Sequence, residues 1–333
     1  MIFTAVPLSE AKGAILAHSV SAGGRVVKKG TRLDDGHLSA LTDAGLTEVT
    51  VARLDAGDVA EDEAAEALAV AARGEGLQVA RPATGRCNLH AEADGLLRVD
   101  ACAIDAANAV DEALTIATPP DYARLRERQL AATAKVIPYA APRVALDRAT
   151  AALAGALVLH PFRPLRAALI VTREAGQKVS VLEKGIRAIR DRLAGLGSER
   201  PEAVVLDHDD AILTDGIDAA MRDTPDVVLI LAAAATSDRR DTAPAAIVAA
   251  GGTVERFGMP VDPGNLLVLA RIGETPAIVL PGCARSPALN GADWVLERLA
   301  ARLPVTPADI AGMGVGGLLK EMPGRPHPRE KRE

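Results

Sequence analysis

Residues 229–252 read LILAAAATSDRRDTAPAAIVAAGG. An apolar run of strand length breaks into Thr236-Ser237-Asp238-Arg239-Arg240-Asp241, and a small-residue segment of helical character follows. Two arginines and two aspartates are thus set in one tight turn after a buried strand. The same alternation extends on both sides. RAALIVT (166–172) is a continuous apolar run. VLEKGIRAIRDRLAGLG follows it, with Ile186, Ile189, Leu193 and Leu196 at helical spacing and Gly197 at the end. AVVLDH, DGIDAAMRD, DVVLILA, APAAIVAAGG, TVERFG, LLVLA, AIVLPG and ADWVLERLAARL continue the series. Short, uniformly apolar strands between helices imply a parallel sheet covered on both faces. The reading for 161–303 is therefore one doubly wound, three-layer α/β/α domain.

The first 160 residues follow no single period. They read as a smaller mixed α+β region. A helix is expected from Asp34 to Ala44, with Asp34 as N-cap and Gly45 as stop, then a strand Glu48 to Arg53. VAEDEAAEALAVAARGEG reads as an amphipathic helix. GRCNLHAEADGLLRVDACAID reads as strands around an Asp94-Gly95 hairpin turn, and 105–136 as two helices split at Pro119-Pro120. Residues 304–333 read as an extension ending in a Pro-rich, charged tail.

At 333 residues the chain calls for about two domains. Only 2% of residues are aromatic, so the cores are Ala, Val, Leu and Ile cores, and base-stacking platforms for nucleic acid are disfavoured. A net charge of −6 argues against a general nucleic-acid or anionic-membrane surface. Three cysteines without CxxC spacing fit a reducing compartment, so a cytoplasmic location is expected. MIFTAVPLSEAKGAIL lacks a basic n-region and a long apolar run, and no membrane span is expected. Neither GxxxxGK[ST] nor GxSxG occurs.

In open α/β sheets, ligands sit outside the carboxyl ends of strands. Three such ends carry polar chemistry here: Thr172-Arg173-Glu174, the turn from Thr236 to Asp241, and Pro281-Gly282 followed by Arg285-Ser286. Arginine occurs in each, which suits bidentate binding of phosphate or carboxylate. Gly264 and Gly282 allow close backbone approach, and Thr236, Ser237 and Ser286 offer hydroxyl donors. Asp241 is either the N-cap of the following helix or a Mg2+ ligand beside a phosphate. His208, in DHDDAI, lies in a solvated acidic loop or a metal-binding one. These residues point to a site for a phosphorylated small molecule.

These motifs have a family counterpart. TSDRRDTAPAAI resembles the loop GGTGxxxRDxTPEA of the molybdopterin-binding domain family of molybdenum-cofactor biosynthesis, through Arg240, Asp241 and Pro244. GMPVDPGNLLVLA resembles its xxKPGKPxxxG loop through Pro263 and Gly264, and VLPGCARSPALNGADWVL its GLPGNPVSA loop through Pro281, Gly282 and Ser286. VPLSEAKGAILAHSV resembles the opening of the molybdotransferases, so 1–160 resembles a reduced form of their accessory domains. The whole is most similar to the molybdopterin-binding half of bacterial fusions with a cytidylyltransferase-type domain.

The resemblance implies molybdopterin or molybdenum cofactor as ligand, with Mg2+ where a phosphoanhydride is handled. Together with the strand-end reading it gives Thr172, Arg173, Thr236, Ser237, Arg240, Pro263, Gly264, Pro281, Gly282, Arg285 and Ser286 as binding residues and Asp241 as the catalytic and metal-binding acid, with Arg173-Glu174 a departure from the TGDEL of the family. It also implies a homo-oligomer and a role in cofactor biosynthesis or delivery, with nucleotidyl or metal transfer as the activity in the family. The alternative is a non-catalytic module that regulates or scaffolds a cytidylyltransferase or a molybdoenzyme. A third reading is an α/β enzyme acting on another phosphorylated metabolite. The chain departs from the family at Ala232 to Ala235, where glycines are usual, at Asp262, where lysine is, and at Cys283-Ala284, where Asn-Pro is.

Overall fold

The computed structural model describes residues 1–22 and 24–319, so 320–333, with most of the Pro-rich tail, lie outside the described residues. The chain divides into two units, Met1–Pro161 and Phe162–Glu333.

In the first unit, Ile2–Pro7 pairs antiparallel with Glu48–Arg53, which also pairs with Ile15–Leu16. The helix Asp35–Asp43 is closed by Asp34, whose carboxylate accepts the His37 amide at 2.8 Å. A larger core follows. One sheet takes the order Leu114–Ala117, Leu130–Val136, Arg86–Ala91, Leu77–Val79. Another takes the order Ala123–Leu125, Gly95–Val99, Leu157–Pro161. Helices Glu61–Ala72, Ala101–Asn108 and Arg143–Ala152 pack with them.

Two local expectations fail here. The region 105–136 holds the end of one helix and then strands, not two helices. Asn108 ends the helix by bonding both backbone groups of Ile116 (3.0 and 2.8 Å), and from Ala132 to Val136 burial alternates with the period of a strand. The strands flanking Asp94-Gly95 exist but belong to different sheets. Asp94 Oδ1 accepts the Glu127 amide at 2.8 Å instead of closing a hairpin.

The second unit is the α/β/α sandwich. Its strands are β1 (Ala167–Arg173), β2 (Ala203–Asp207), β3 (Val227–Leu231), β4 (Thr253–Phe257), β5 (Val268–Ile272) and β6 (Thr275–Val279). Its helices are α1 (Val179–Ala194), α2 (Asp210–Met221), α3 (Thr242–Ala249), α4 (Gly291–Ala300) and α5 (Pro307–Ala311). The sheet order is β2-β1-β3-β6-β5-β4.

Alternation along the strands builds the two cores. Leu169, Val171, Leu229, Leu231 and Ile278 face one layer with Leu182, Ile189 and Val295 from α1 and α4. Ile170, Val228, Ile230 and Val279 face the other with Leu213 and Ile247 from α2 and α3. The central strands β1, β3 and β6 are thus apolar on both faces, which is why the sequence shows runs rather than alternation there.

The sheet is not wholly parallel. β2, β1, β3 and β6 run together, but β5 is antiparallel to both of its neighbours. The cause is the two-residue turn Gly273-Glu274, which pairs Ile272 with Thr275 and places Gly273 at φ +55°. A turn that short joins only antiparallel strands.

Candidate functional site at the carboxyl ends of the strands

β1, β3 and β6 lie side by side, so the loops that leave their carboxyl ends converge. Thr172, fully buried near the end of β1, ties this edge together. Its Oγ1 accepts the Ala233 amide at 2.8 Å and lies 2.8 Å from His208 Nδ1. One hydroxyl therefore links β1 to the residues after β2 and β3. Arg173 turns the other way, donating from Nε to Asp207 of the edge strand at 2.9 Å. His208 was singled out in sequence for its acidic neighbours, but its partner is Thr172. Among the described residues, no three His, Cys, Asp or Glu side chains converge to hold a metal ion.

The charged turn after β3 is largely self-contained. Asp241 Oδ2 accepts the Ser237 amide at 2.5 Å, the Asp238 amide at 2.9 Å and the Ser237 hydroxyl at 3.3 Å. Those backbone bonds hold its carboxyl below the usual aspartate value. Asp241 stands at the N-cap position of α3, yet its side chain caps the preceding loop rather than the helix. Asp238 Oδ1 accepts both the Arg240 amide and Nε at 2.9 Å, while the Arg240 side chain is 91% exposed. Arg239 reaches from Nη1 to the Val254 carbonyl on β4 at 3.1 Å. Thr236 is buried and Ser237 exposed.

Alanine is tolerated at 232–235 because none of these residues needs a left-handed backbone. The positive-φ non-glycine positions among the described residues are Thr84, Tyr122, Arg128, Thr224 and Arg302.

After β6, Pro281 is buried, Gly282 is exposed and a short helical turn Gly282–Arg285 carries the chain back. Arg285 Nη2 donates to the Ala232 carbonyl at 2.5 Å, directly joining this loop to the end of β3. Its stem rests on α1, where a Cβ built on Gly185 would stand 3.4 Å from Arg285 Cγ and 2.9 Å from Leu231 Cδ2. Glycine at that point lets the arginine lie against the helix. Arg285 Nη1 is the buried side-chain nitrogen or oxygen without a partner among the described residues. Burial pulls the guanidinium pKa below its usual value.

Sequence reasoning missed the residue that shapes this loop. Arg192 of α1, with a side chain only 8% exposed, donates to Asp293 Oδ1 at 2.7 Å. It also donates to the carbonyls of Ala188 (3.3 Å), Ala284 (2.8 Å), Ser286 (2.6 Å) and Ala288 (2.8 Å). A guanidinium has five N–H donors, and all are used. The signal was an arginine within the apolar stripe Gly185, Ala188, Ile189, Leu193, Leu196, all buried. Ser286 gives its carbonyl to Arg192, and its Oγ accepts the Ala288 amide at 3.3 Å.

Pro263 and Gly264 stand at the same end of the sheet but serve the start of α4. The Pro263 carbonyl accepts the Gly291 amide at 2.9 Å. Gly264 sits at φ +144°, with a built Cβ 2.8 Å from the Gly291 nitrogen. The structure thus brings together Thr172, the chain after Ala232 and Arg285. It turns Arg173 and Arg240 outward and places Pro263 and Gly264 as a prop.

A family described as a domain of unknown function (DUF8806) matches residues 5–53. No curated protein matches the chain. Among solved structures, the chain is similar to the molybdopterin biosynthesis moea protein from Pyrococcus horikosii. That similarity has 15% identity and a TM-score of 0.31, over 90% of this chain and 75% of that one. It is also similar to a molybdenum cofactor biosynthesis protein from Pyrococcus furiosus, at 12% identity and a TM-score of 0.23. This second match takes in 93% of this chain but spans only 65% of the other's length. Both similarities are distant, so the geometry of the site has to carry the function. Among the described residues no helix is long and apolar enough to cross a membrane.

Proposed function

We propose that the second unit binds a pterin phosphate of the molybdopterin class at the carboxyl ends of β1, β3 and β6, in molybdenum-cofactor biosynthesis or delivery. One observation carries this reading: Arg285 Nη1 is buried at that edge with no acceptor among the described residues. An unsatisfied buried donor on a charged group is costly, and a phosphate or carboxylate oxygen is what satisfies a guanidinium best. The three loops that resemble the molybdopterin-binding family sit at this same end of the sheet, which supports the choice of ligand class.

Binding without chemistry of its own is the form this reading takes. Asp241, the acid that would hold Mg2+ or act in transfer, already has three donors on Oδ2. Among the described residues no three His, Cys, Asp or Glu side chains converge on a metal position, and no transfer step is assigned to them. Such a module would hold the pterin for a separate enzyme.

Calorimetry with molybdopterin tests the assignment. Arg285→Met should weaken binding by about 1.5–3 kcal/mol, the worth of a hydrogen bond to a charged group. Arg240→Ala should leave the affinity essentially unchanged, because its guanidinium is exposed and screened. Unchanged affinity in a folded Arg285→Met protein would remove Arg285 from the site.

A further inference from the structure

A cavity of about 530 Å³ opens at the opposite end of the sheet, where β1, β3 and β6 begin. It is an open depression whose lining is mixed, with Leu165, Leu269, Leu299, Leu303 and Val305 as its apolar part. The size lies within the range of small-molecule sites. Four charged residues line it: Asp226, Arg271, Glu274 and Arg302. None of them belongs to the site proposed above.

The charges are unequally available. Asp226 is engaged: Oδ2 accepts the Arg166 amide at 2.8 Å and lies 3.8 Å from Arg166 Nε, while Oδ1 lies 3.5 Å from Arg302 Nη1. Arg271 uses Nε on Glu255 at 3.0 Å and Nη1 on the Glu274 carbonyl at 3.1 Å, which leaves Nη2. Among the described residues Arg302, with a side chain 47% exposed, makes one long pair, with Asp226, so its other donors face solvent and are open to a ligand. Glu274 is exposed at the rim. The cavity thus offers an apolar body and two guanidinium groups with spare donors.

The backbone at Arg302 makes that side chain a clean one to remove. α4 ends with the Arg302 amide on the Leu299 carbonyl (3.0 Å) and the Leu303 amide on the Arg298 carbonyl (2.9 Å). That is the helix-ending pattern whose left-handed position normally belongs to glycine. Arg302 occupies it at φ +56°. Glycine therefore suits the backbone at 302, so replacing Arg302 by glycine removes the side chain without straining the helix end.

We propose that this cavity is a second ligand site of the unit, for a small amphipathic carboxylate. The apolar body would lie against the leucines, and its carboxylate would take the open donors of Arg302 and Arg271. The test titrates the full chain with hexanoate, hexylammonium and 1-hexanol, following binding by calorimetry and stability by thermal melting. Hexanoate should bind saturably and at least tenfold more tightly than the other two. Arg302→Gly should melt at or above the wild-type temperature, since glycine suits the backbone, yet bind hexanoate at least fivefold more weakly. Glu274→Gln should bind it two- to threefold more tightly by removing a like charge. The proposal is overturned if hexanoate does not saturate, or if 1-hexanol or hexylammonium matches it. It is equally overturned if Arg302→Gly binds hexanoate as the wild type does. None of these outcomes depends on pterin binding at the other end of the sheet.

Discussion

Asp241 shows how one carboxylate decides the state of a loop. Its folded-state pKa lies below the unfolded value because the Ser237 and Asp238 amides donate to the ionised form. The stabilisation is therefore fully present above the unfolded pKa of about 4 and is lost as pH falls through the lower folded value. An NMR titration should show the Ser237 and Asp238 amide shifts moving together, with a midpoint below the ordinary aspartate value of about 4. A midpoint at or above that value would mean the carboxylate does not staple the turn. At this scale the sequence was only partly legible. Asp238, Arg239, Arg240 and Asp241 were visible as a charged cluster, but their pairing was not. Whether a charge faces a ligand or its neighbour depends on side-chain directions within six residues, and composition does not encode those. Arg285 was legible by type and place, while its burial against Gly185 needed the packing of α1.

Among the elements, α1 does more than cover the sheet, because Arg192 binds it to the loop after β6. Arg192→Met would leave Asp293, which is 15% exposed, and three loop carbonyls without their donor. Breaking such a buried pair costs about 3–5 kcal/mol. Thermal unfolding of the second unit should therefore fall by roughly 10 °C. Arg192→Lys keeps the charge but has only three donors, so it should lie between the two. A loss under about 1 kcal/mol in Arg192→Met would show that the loop holds its shape without the guanidinium. Most elements of this unit could be read from sequence, since buried strands and amphipathic helices have distinct patterns. The reversed β5 could not be read from apolarity, because a strand buried on both faces looks alike in either direction. Its clue was the two-residue turn Gly273-Glu274. In the first unit, the misread 105–136 segment is alanine-rich on both sides of Asn108. Alanine fits helix and buried strand alike, and the decisive contact, Asn108 with Ile116, is made only on folding.

For the molecule as a whole, an α/β/α unit with aliphatic cores on both faces of its sheet follows an irregular α+β unit. The low aromatic content had already indicated Ala, Val, Leu and Ile cores. The class of fold in the second unit follows from its alternation of elements, whereas pairing in the first depends on contacts between distant segments. The second unit places a guanidinium with one buried nitrogen unpartnered among the described residues, Arg285 Nη1, at the carboxyl ends of its strands, and the proposed ligand would satisfy it. Mass spectrometry of the full chain, purified gently enough to retain bound molecules, tests that claim most directly. The wild type should carry a pterin phosphate in stoichiometric or near-stoichiometric amount, and folded Arg285→Met should carry little or none. A wild-type protein that carries no such ligand and gains none when molybdopterin is supplied would contradict the claim, as would equal loading of the two proteins.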